Sequence, residues 1–234
     1  MSINESAADL RGPRVAATAA VAYVGCFAVS LILPGLLGQR FAAPVPYASD
    51  EEVAAKLAAS DHGLVPIGAF WQAASALALL VFVPYAAQFV RGRVPGSALA
   101  GLVQAGGVVS GGLLVLSASA QWISYQPTVA ADVHLFRAVT DLVFITGAAP
   151  HVATLGFLVG AVAYVGRKTG ALPAWLNWFG LVIAAVSLVS MLSLMFEVAT
   201  IFIPLGRYVG MIWFLAVAAV LWSRREATAS AVRQ

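Results

Sequence analysis

The sequence predicts an all-α integral membrane protein, a single bundle of six transmembrane helices. Of its 234 residues, 61% are hydrophobic and only 10% are charged, whereas a soluble domain carries roughly 25% charged residues. The mean hydropathy is +0.91. Crossing a hydrocarbon core of about 30 Å takes about 20 apolar residues per helix, and six runs of the sequence meet that length. Their continuity excludes a β-barrel, whose strands alternate over about ten residues.

The six predicted spans occupy nearly the whole chain. They are Val15 to Leu37, Leu64 to Val90, Ala98 to Trp122, Ile145 to Val165, Trp175 to Thr200 and Tyr208 to Trp222. We therefore predict one membrane domain over residues 15–225, with polar tails at 1–14 and 226–234. A cleaved signal peptide is the alternative for the first span, but its apolar run is longer than a signal core and a polar segment precedes it.

The basic residues predict the orientation of the bundle. Nine of the thirteen lysines and arginines fall on one side of the predicted spans: Arg11, Arg14, Arg91, Arg93, Arg167, Lys168, Arg224, Arg225 and Arg233. The positive-inside rule makes that side cytoplasmic, with both termini inside. This placement accounts for the net charge of +3 without a nucleic-acid partner. Because Cys26 is the only cysteine, an internal disulfide or a cysteine-based metal site is excluded.

The connection after span one predicts a short amphipathic helix in the first outer loop. Ser49 and Glu52 have capping-box spacing, and Asp50 suits the positive end of a helix dipole. The helix would run from about Asp50 to Ser60, with Val53 and Leu57 on one face. Two interpretations remain open: a lid over the outer mouth of the bundle, or a connector whose weak apolar face rests on lipid.

Span three is rich in small residues, with Gly107 and Gly111 at four-residue spacing. Such spacing lets helix backbones approach closely in lipid. We therefore predict that span three is the central packing helix. A phosphate-binding glycine loop is a poor alternative because no GKS or GKT end and no preceding strand is present.

Span four is longer than a membrane crossing requires. From Asp132 to Val165 it has 34 residues, which as one helix would reach about 50 Å. Pro150 lacks an amide hydrogen and clashes with the preceding turn, so the sequence predicts a kink near it.

The turn before span five carries a family resemblance. The segment LPAWLNWFG, together with a last span that ends in LWSRR, resembles a group of uncharacterised six-helix bacterial membrane proteins of actinobacterial type. The resemblance implies a bacterial plasma-membrane location and no activity. Trp175 and Trp178 in this turn are typical of the membrane interface.

Ionisable residues within the spans are the candidates for function, because a charge at a helix centre costs at least about 2.5 to 3.5 kcal/mol. The predicted topology brings most of these charges, with further polar and aromatic residues, to the outer leaflet. The set comprises Glu197 and Asp141 as candidate catalytic carboxylates, and Arg137, His151, Gln72, Trp71, Gln121, Trp122, Arg207 and Ser193 as candidate ligand-binding residues.

Spacing predicts how these residues are arranged. Arg137 and Asp141, four residues apart, can pair on one helix face. Ser187, Ser190 and Ser193 lead to Glu197 at steps of three, three and four, which predicts a polar stripe that turns Glu197 to the bundle interior.

The competing interpretation is structural. In it, Arg137 with Asp141, and Glu197 with Arg207, are ion pairs that only close the outer end. His151 beside Pro150 is then a packed or water-bonded histidine, and the serines bond to the previous turn. Asp141 is also expected to face Glu197 or Arg207.

Metal and haem sites are disfavoured. His62, His134 and His151 have no metal-ligand spacing, and two of them share one span at different depths. We predict no metal and no cofactor.

Three hypotheses for function remain. The first is a protein whose outward polar pocket binds or helps move a small amphiphilic or lipid-like molecule. The second is a membrane-embedded enzyme on an isoprenoid or lipid substrate, with Glu197 or Asp141 as general acid or base. The third is a structural subunit of a membrane assembly or homo-oligomer, which a glycine-rich packing helix would suit. Membrane lipid is an expected partner in each.

Overall fold

The computed structural model describes residues 12–37, 46–59 and 63–231, with side chains described through residue 223. The described chain is helical almost throughout. Its α-helices are α1 Gly12–Leu36, α2 Asp50–Ala59, α3 Val65–Arg93, α4 Leu99–Ser124, α5 Pro127–Ala130, α6 Val133–Gly147, α7 Ala149–Thr169, α8 Ala174–Val189, α9 Phe202–Pro204 and α10 Gly210–Ala231. Residues 1–11, 38–45, 60–62 and 232–234, which include most of the predicted N-terminal tail and His62, lie outside the described residues.

Six segments are long and apolar enough to cross a membrane, which confirms the predicted fold class. They are Gly12–Leu36, Val65–Arg93, Leu99–Ser124, Val133–Thr169, Ala174–Leu194 and Glu197–Ser223. Gly12 and Leu221 line one cavity, so the two described chain ends lie at the same end of the bundle. We call this the terminal end, and the opposite one, which carries α2, the distal end. Which end faces the cytoplasm stays a prediction from the charges.

The glycine-rich helix α4 lies at the centre of the bundle, as predicted, and packs against α3, α6 and α7. A β-carbon at Gly107 would meet the side chains of Val83 on α3 and Leu158 on α7. One at Gly111 would lie 2.8 Å from a methyl group of Leu80. Both glycines therefore permit contacts inside the chain's own bundle, which is the close approach that small residues allow.

The fourth span breaks between α6 and α7, as Pro150 predicts. The break falls at Ala148, whose φ of −104° and ψ of −115° are not helical. Pro150 occupies the first turn of α7, where its missing N–H leaves no helical bond unmade. Immediately before the break, a β-carbon at Gly147 would collide with the side chain of Ser117 on α4. The break at Ala148 and the close contact between Gly147 and Ser117 hold the end of α6 against α4.

The fifth span does not continue as one α-helix to residue 200. Helix α8 ends at Val189, a 3₁₀ segment follows at Ser190–Leu194, and Phe196 is extended, with φ −134° and ψ 120°. A second 3₁₀ segment, Glu197–Ile201, begins the sixth span. Ser187, Ser190 and Ser193 are buried as predicted, but Glu197 is exposed. The predicted inward orientation of Glu197 is wrong, because the helical phase is lost before the chain reaches it.

Helix α2 packs against protein at the distal end. Its predicted capping box is present: the Ser49 amide donates to a Glu52 carboxylate oxygen, and the Glu52 amide donates to the Ser49 hydroxyl. Val53 is 1% and Leu57 7% exposed. They belong to a cluster of buried residues: Ala48, Val53, Leu57, Val65, Tyr125, Val129 and Phe136. The predicted apolar face is correct, and it rests on the starts and ends of the spans rather than on lipid.

Candidate functional site

A cavity of about 340 Å³ lies between five of the spans at the distal end. Its wall is built from the distal parts of α1, α3, α4 and α6 and from the turn before α10. The lining residues are Phe27, Ser30, Leu31, Pro34, Gly35, Val65, Gly68, Gln72, Ser117, Gln121, Ser124, Tyr125, Thr140, Val143, Phe144, Gly147, Ala148, Ile203 and Arg207. This volume is at the lower end of the range for small-molecule sites, which is about 300 to 1,000 Å³.

The mouth of the cavity faces the apolar surface of the bundle. Leu31 lines the cavity and is also 53% exposed, and the neighbouring lining residue Gly35 is exposed. Both lie on α1 within a predicted membrane span. A β-carbon on Gly35 would meet nothing within 4 Å. The cavity is therefore open on a side where the chain presents apolar surface, which suits entry from lipid.

A chain of hydrogen bonds crosses one wall of the cavity. The Gln72 amide nitrogen on α3 donates to the Ser117 hydroxyl at 3.1 Å, and that hydroxyl donates to the Val143 carbonyl on α6 at 2.9 Å. Thr140 donates to the carbonyls of Phe136 and Arg137. These polar groups are satisfied within the protein, as buried polar groups usually are. They fix the orientation of the side chains in this wall.

Three of the predicted site residues line this cavity: Gln72, Gln121 and Arg207. The Gln121 side chain makes no hydrogen bond with another described residue. Trp71 and Trp122 were predicted in the same region, but neither lines the cavity. Trp122 is 49% exposed, and Trp71 contacts the Phe70 ring at 5.5 Å between centroids. The two indoles thus belong to the bundle surface at this level rather than to the pocket.

Arg137 and Asp141 lie outside the cavity, on the side of α6 that meets α2. Arg137 Nε is 3.9 Å from an Asp141 carboxylate oxygen, as the four-residue spacing predicts. Its closer partner is Asp50 at the start of α2, at 2.5 Å, and it also donates to the Pro46 carbonyl. The sequence did not indicate the Asp50 partner, which is 87 residues away. Arg137 thus joins the first distal loop to α6.

The expected pairing of Arg207 with an acidic residue is wrong within the described part of the chain. The ion pairs of Arg137 with Asp50 and of Arg137 with Asp141, both between described residues, do not include Arg207. Glu197 lies on the exposed 3₁₀ segment, and Asp141 contacts Arg137 instead of Arg207. Of the two ion pairs in the structural interpretation, Arg137 with Asp141 is therefore present, and Glu197 with Arg207 is not.

Ser193 lies beside the first distal loop. Its backbone carbonyl accepts a hydrogen bond from the Tyr47 hydroxyl, while its own hydroxyl is buried without a partner among the described residues. It does not line the cavity. Ser193 therefore anchors the loop through its main chain, a role that the serine stripe did not predict.

His151 is fully buried one turn into α7, next to the cavity residue Ala148. Its Nδ1 atom lies 2.9 Å from the Ser110 carbonyl oxygen, and the Ser110 hydroxyl donates to the His151 carbonyl at 3.0 Å. Because a carbonyl oxygen only accepts, Nδ1 carries the proton. Nε2 is then an acceptor in the neutral ring, and it is buried without a partner in the described structure. His151 was a candidate ligand-binding residue, but it does not line the cavity; the structure agrees with the competing interpretation of a packed histidine.

A second cavity of similar volume lies at the terminal end, next to Gly12, Phe82 and Arg93. An aromatic cluster separates it from the distal cavity. Phe214 contacts the rings of Tyr23 and Phe82 at 5.0 and 5.2 Å between centroids. The side chains of Tyr23 and Phe214 are almost completely buried. The two cavities are therefore not continuous.

Some residues of the distal cavity were not identified from the sequence. Thr140, Phe144 and Gly147 line it because α6 ends at the break, and Tyr125 lines it because α4 ends there. Their clearest sequence signal is Pro150. It predicts where the fourth span changes direction, but it does not predict that a cavity forms there or which residues line it.

Comparisons of this chain with protein-family models, with curated proteins and with solved structures find no match. The resemblance of the LPAWLNWFG turn to six-helix bacterial membrane proteins stays a prediction.

Proposed function

We propose that this protein binds a small amphiphilic or lipid-like molecule in the distal cavity. The proposal is supported by which residues form the wall of the distal cavity and by where the mouth of the cavity lies. Polar side chains from five spans converge on one space, and the mouth lies at exposed apolar residues of α1. A molecule with one polar end and one apolar part matches such a site.

Binding is favoured over acid–base catalysis by the positions of the two candidate carboxylates. Neither Glu197 nor Asp141 lines the cavity, and Asp141 is turned toward Arg137. A general acid or base must reach its substrate within hydrogen-bond distance or through one water. The third hypothesis, a subunit of a membrane assembly, loses its main support, because Gly107 and Gly111 are used in contacts within the chain.

The charge distribution and the resemblance support a bacterial plasma-membrane location with cytoplasmic termini. In that orientation the cavity belongs to the outer leaflet. The proposal concerns binding first; net movement of the ligand across the membrane would require the Tyr23–Phe214 contact to open.

A matched pair of glycine substitutions on α1 tests the proposal. Gly35→Phe places a large side chain in the mouth of the cavity, where a β-carbon meets nothing within 4 Å. Gly25→Phe is the control, because Gly25 lies on the same helix, has equally open surroundings and does not line the cavity. Each protein is purified in a mild detergent, and bound lipids and metabolites are identified by native mass spectrometry.

The expected result is a bound amphiphile in the wild type and in Gly25→Phe, and its loss or a weakening of about tenfold or more, about 1.4 kcal/mol, in Gly35→Phe. Equal occupancy in Gly35→Phe and Gly25→Phe would show that the molecule binds elsewhere. An empty cavity in the wild type across several detergents would contradict the proposal.

A further inference from the structure

Among the residues that the structure describes, Arg207 is the only charged residue that lines the distal cavity. It lies in a π-helical turn, Leu205–Val209, directly before α10. Such turns are rare and occur frequently at functional sites. The turn is held closely against its neighbours: a β-carbon at Gly206 would lie 2.6 Å from Val152 on α7 and 2.8 Å from the Ser187 hydroxyl on α8. The position of the Arg207 backbone is therefore fixed by packing.

The guanidinium of Arg207 has no counter-charge among the residues that the structure describes. Its Nε and Nη2 atoms are buried and make no hydrogen bond there. Its guanidinium lies over the Phe27 ring, whose centroid is 5.5 Å from Cζ, and makes a side-chain hydrogen bond with the neighbouring Tyr208. An aromatic ring attracts a cation, but more weakly than a desolvated carboxylate does. Arg207 as a whole is half-buried, and a cation whose N–H groups are buried is stabilised by a paired anion.

The same cavity offers a division between a charged and an apolar side. Arg207 and the Gln121 amide supply hydrogen-bond donors. Leu31, Phe144 and Ile203 supply apolar surface, and the exposed Leu31 continues this surface to the outside of the bundle. No carboxylate is among the lining residues that the structure describes. The described wall therefore attracts a headgroup with negative charge.

We infer that the ligand of the distal cavity is a single-chain amphiphile with an anionic headgroup, which is bound by Arg207. The inference rests on the proposed binding function and specifies its ligand class. Guanidinium binds carboxylate and phosphate oxygens through paired N–H groups, so these two headgroups share the required chemistry. The hydrocarbon chain leaves through the mouth at Leu31 and Gly35 toward lipid.

The experiment compares headgroups on one chain length. The wild-type protein in nanodiscs of zwitterionic lipid is titrated with a dansyl-labelled undecanoate, and empty nanodiscs are subtracted. Laurate, dodecyl phosphate and dodecanol then compete with the probe, and inorganic phosphate tests whether the headgroup alone suffices. Laurate or dodecyl phosphate is expected to displace the probe at least about tenfold more effectively than dodecanol.

Three substitutions assign the preference to a residue. Arg207→Gln removes the charge and is expected to abolish the preference for the anionic competitors. Arg207→Lys keeps the positive charge without the paired N–H donors, so it is expected to retain part of the preference for anionic competitors. It replaces Arg207→Gln as the test variant if Arg207→Gln fails to fold. Arg91→Gln removes a charge from an exposed position at the terminal end and is expected to leave the preference unchanged.

The two proposals fail separately. If dodecanol competes as well as laurate and dodecyl phosphate, or if both Arg207 variants keep the wild-type preference, the anionic-headgroup inference is wrong while the cavity still binds amphiphiles. If the probe binds no better than to empty nanodiscs, or binds equally to Gly35→Phe and the wild type, the binding function itself is wrong. If inorganic phosphate alone competes with the probe, the inferred ligand is wrong, and the cavity binds a free anion instead of an amphiphile.

Discussion

The docking of α2 on the distal end is expected to depend on its apolar face rather than on its ion pair. Val53 and Leu57 are almost fully buried against Val65, Tyr125 and Phe136. At about 0.8 kcal/mol per buried methylene, Leu57→Ala is expected to cost about 2 to 3 kcal/mol of docking free energy. Alanine is also the better helix former, so a loss would not come from helix propensity.

The ion pair between Asp50 and Arg137 is the competing source of docking energy. The Asp50 side chain is 61% exposed and that of Arg137 27%, and exposed pairs contribute about 0.2 to 1 kcal/mol. Asp50→Asn is therefore expected to weaken docking by no more than about fivefold, whereas Leu57→Ala should weaken it by about thirtyfold or more. Raising the salt concentration should reproduce the smaller effect only, because salt screens exposed charges.

Hydrogen–deuterium exchange of the peptide that covers α2, followed by mass spectrometry in nanodiscs, measures this docking. Local opening exposes the amides of residues 53–59, so their exchange rates report the free energy of docking. Val53→Ala is a second variant of the same face and should accelerate exchange by less than Leu57→Ala, since it removes fewer carbons. A larger acceleration by Asp50→Asn or by high salt than by Leu57→Ala would refute the reasoning.

Two further predictions concern the centre of the bundle. Gly107→Val is expected to lower the thermal unfolding midpoint in detergent strongly, because its β-carbon would meet Val83 and Leu158, whereas Gly112→Val should fold normally, since a β-carbon there meets nothing within 4 Å. Comparable midpoints for the two variants would contradict the assigned packing. For His151, nitrogen NMR is expected to find the proton on Nδ1, both in the wild type and in Ser110→Ala, because the Ser110 carbonyl remains as acceptor. A proton on Nε2 would contradict this hydrogen bond.

The spans and the loop helix could be predicted because their signals are local. Length and hydropathy determine the spans, and Ser49 with Glu52 determines the start of α2. The wrong prediction for Glu197 has an equally local cause. It extrapolated an α-helical period through Ser187, Ser190 and Ser193, but a 3₁₀ segment changes the angle per residue and the extended Phe196 ends the helix.

The partners of charged residues could not be predicted in the same way. Arg137 has a compatible carboxylate four residues away, and spacing alone favours that pair. Its nearer partner, Asp50, depends on how a loop helix docks, which sequence spacing does not encode. For Arg207, the structural interpretation offered Glu197 as a partner because the predicted topology places both residues at the outer end of the bundle. The structure places the Arg207 side chain at the wall of the distal cavity, without a carboxylate within 4.0 Å among the described residues.

The distal cavity follows from the break in the fourth span. A straight helix through residues 133–169 would keep one direction from end to end, whereas the break at Ala148 lets α6 take its own direction. Ser117 holds the last turn of α6 through its bond to the Val143 carbonyl, and Gln72 holds Ser117 in turn. These contacts fix the wall on the side of α3 and α4. The opposite side, between α1 and α6, has no comparable helix packing in the described structure. The cavity lies on that side, and in the described part of the chain its mouth is formed at Leu31 and Gly35 of α1.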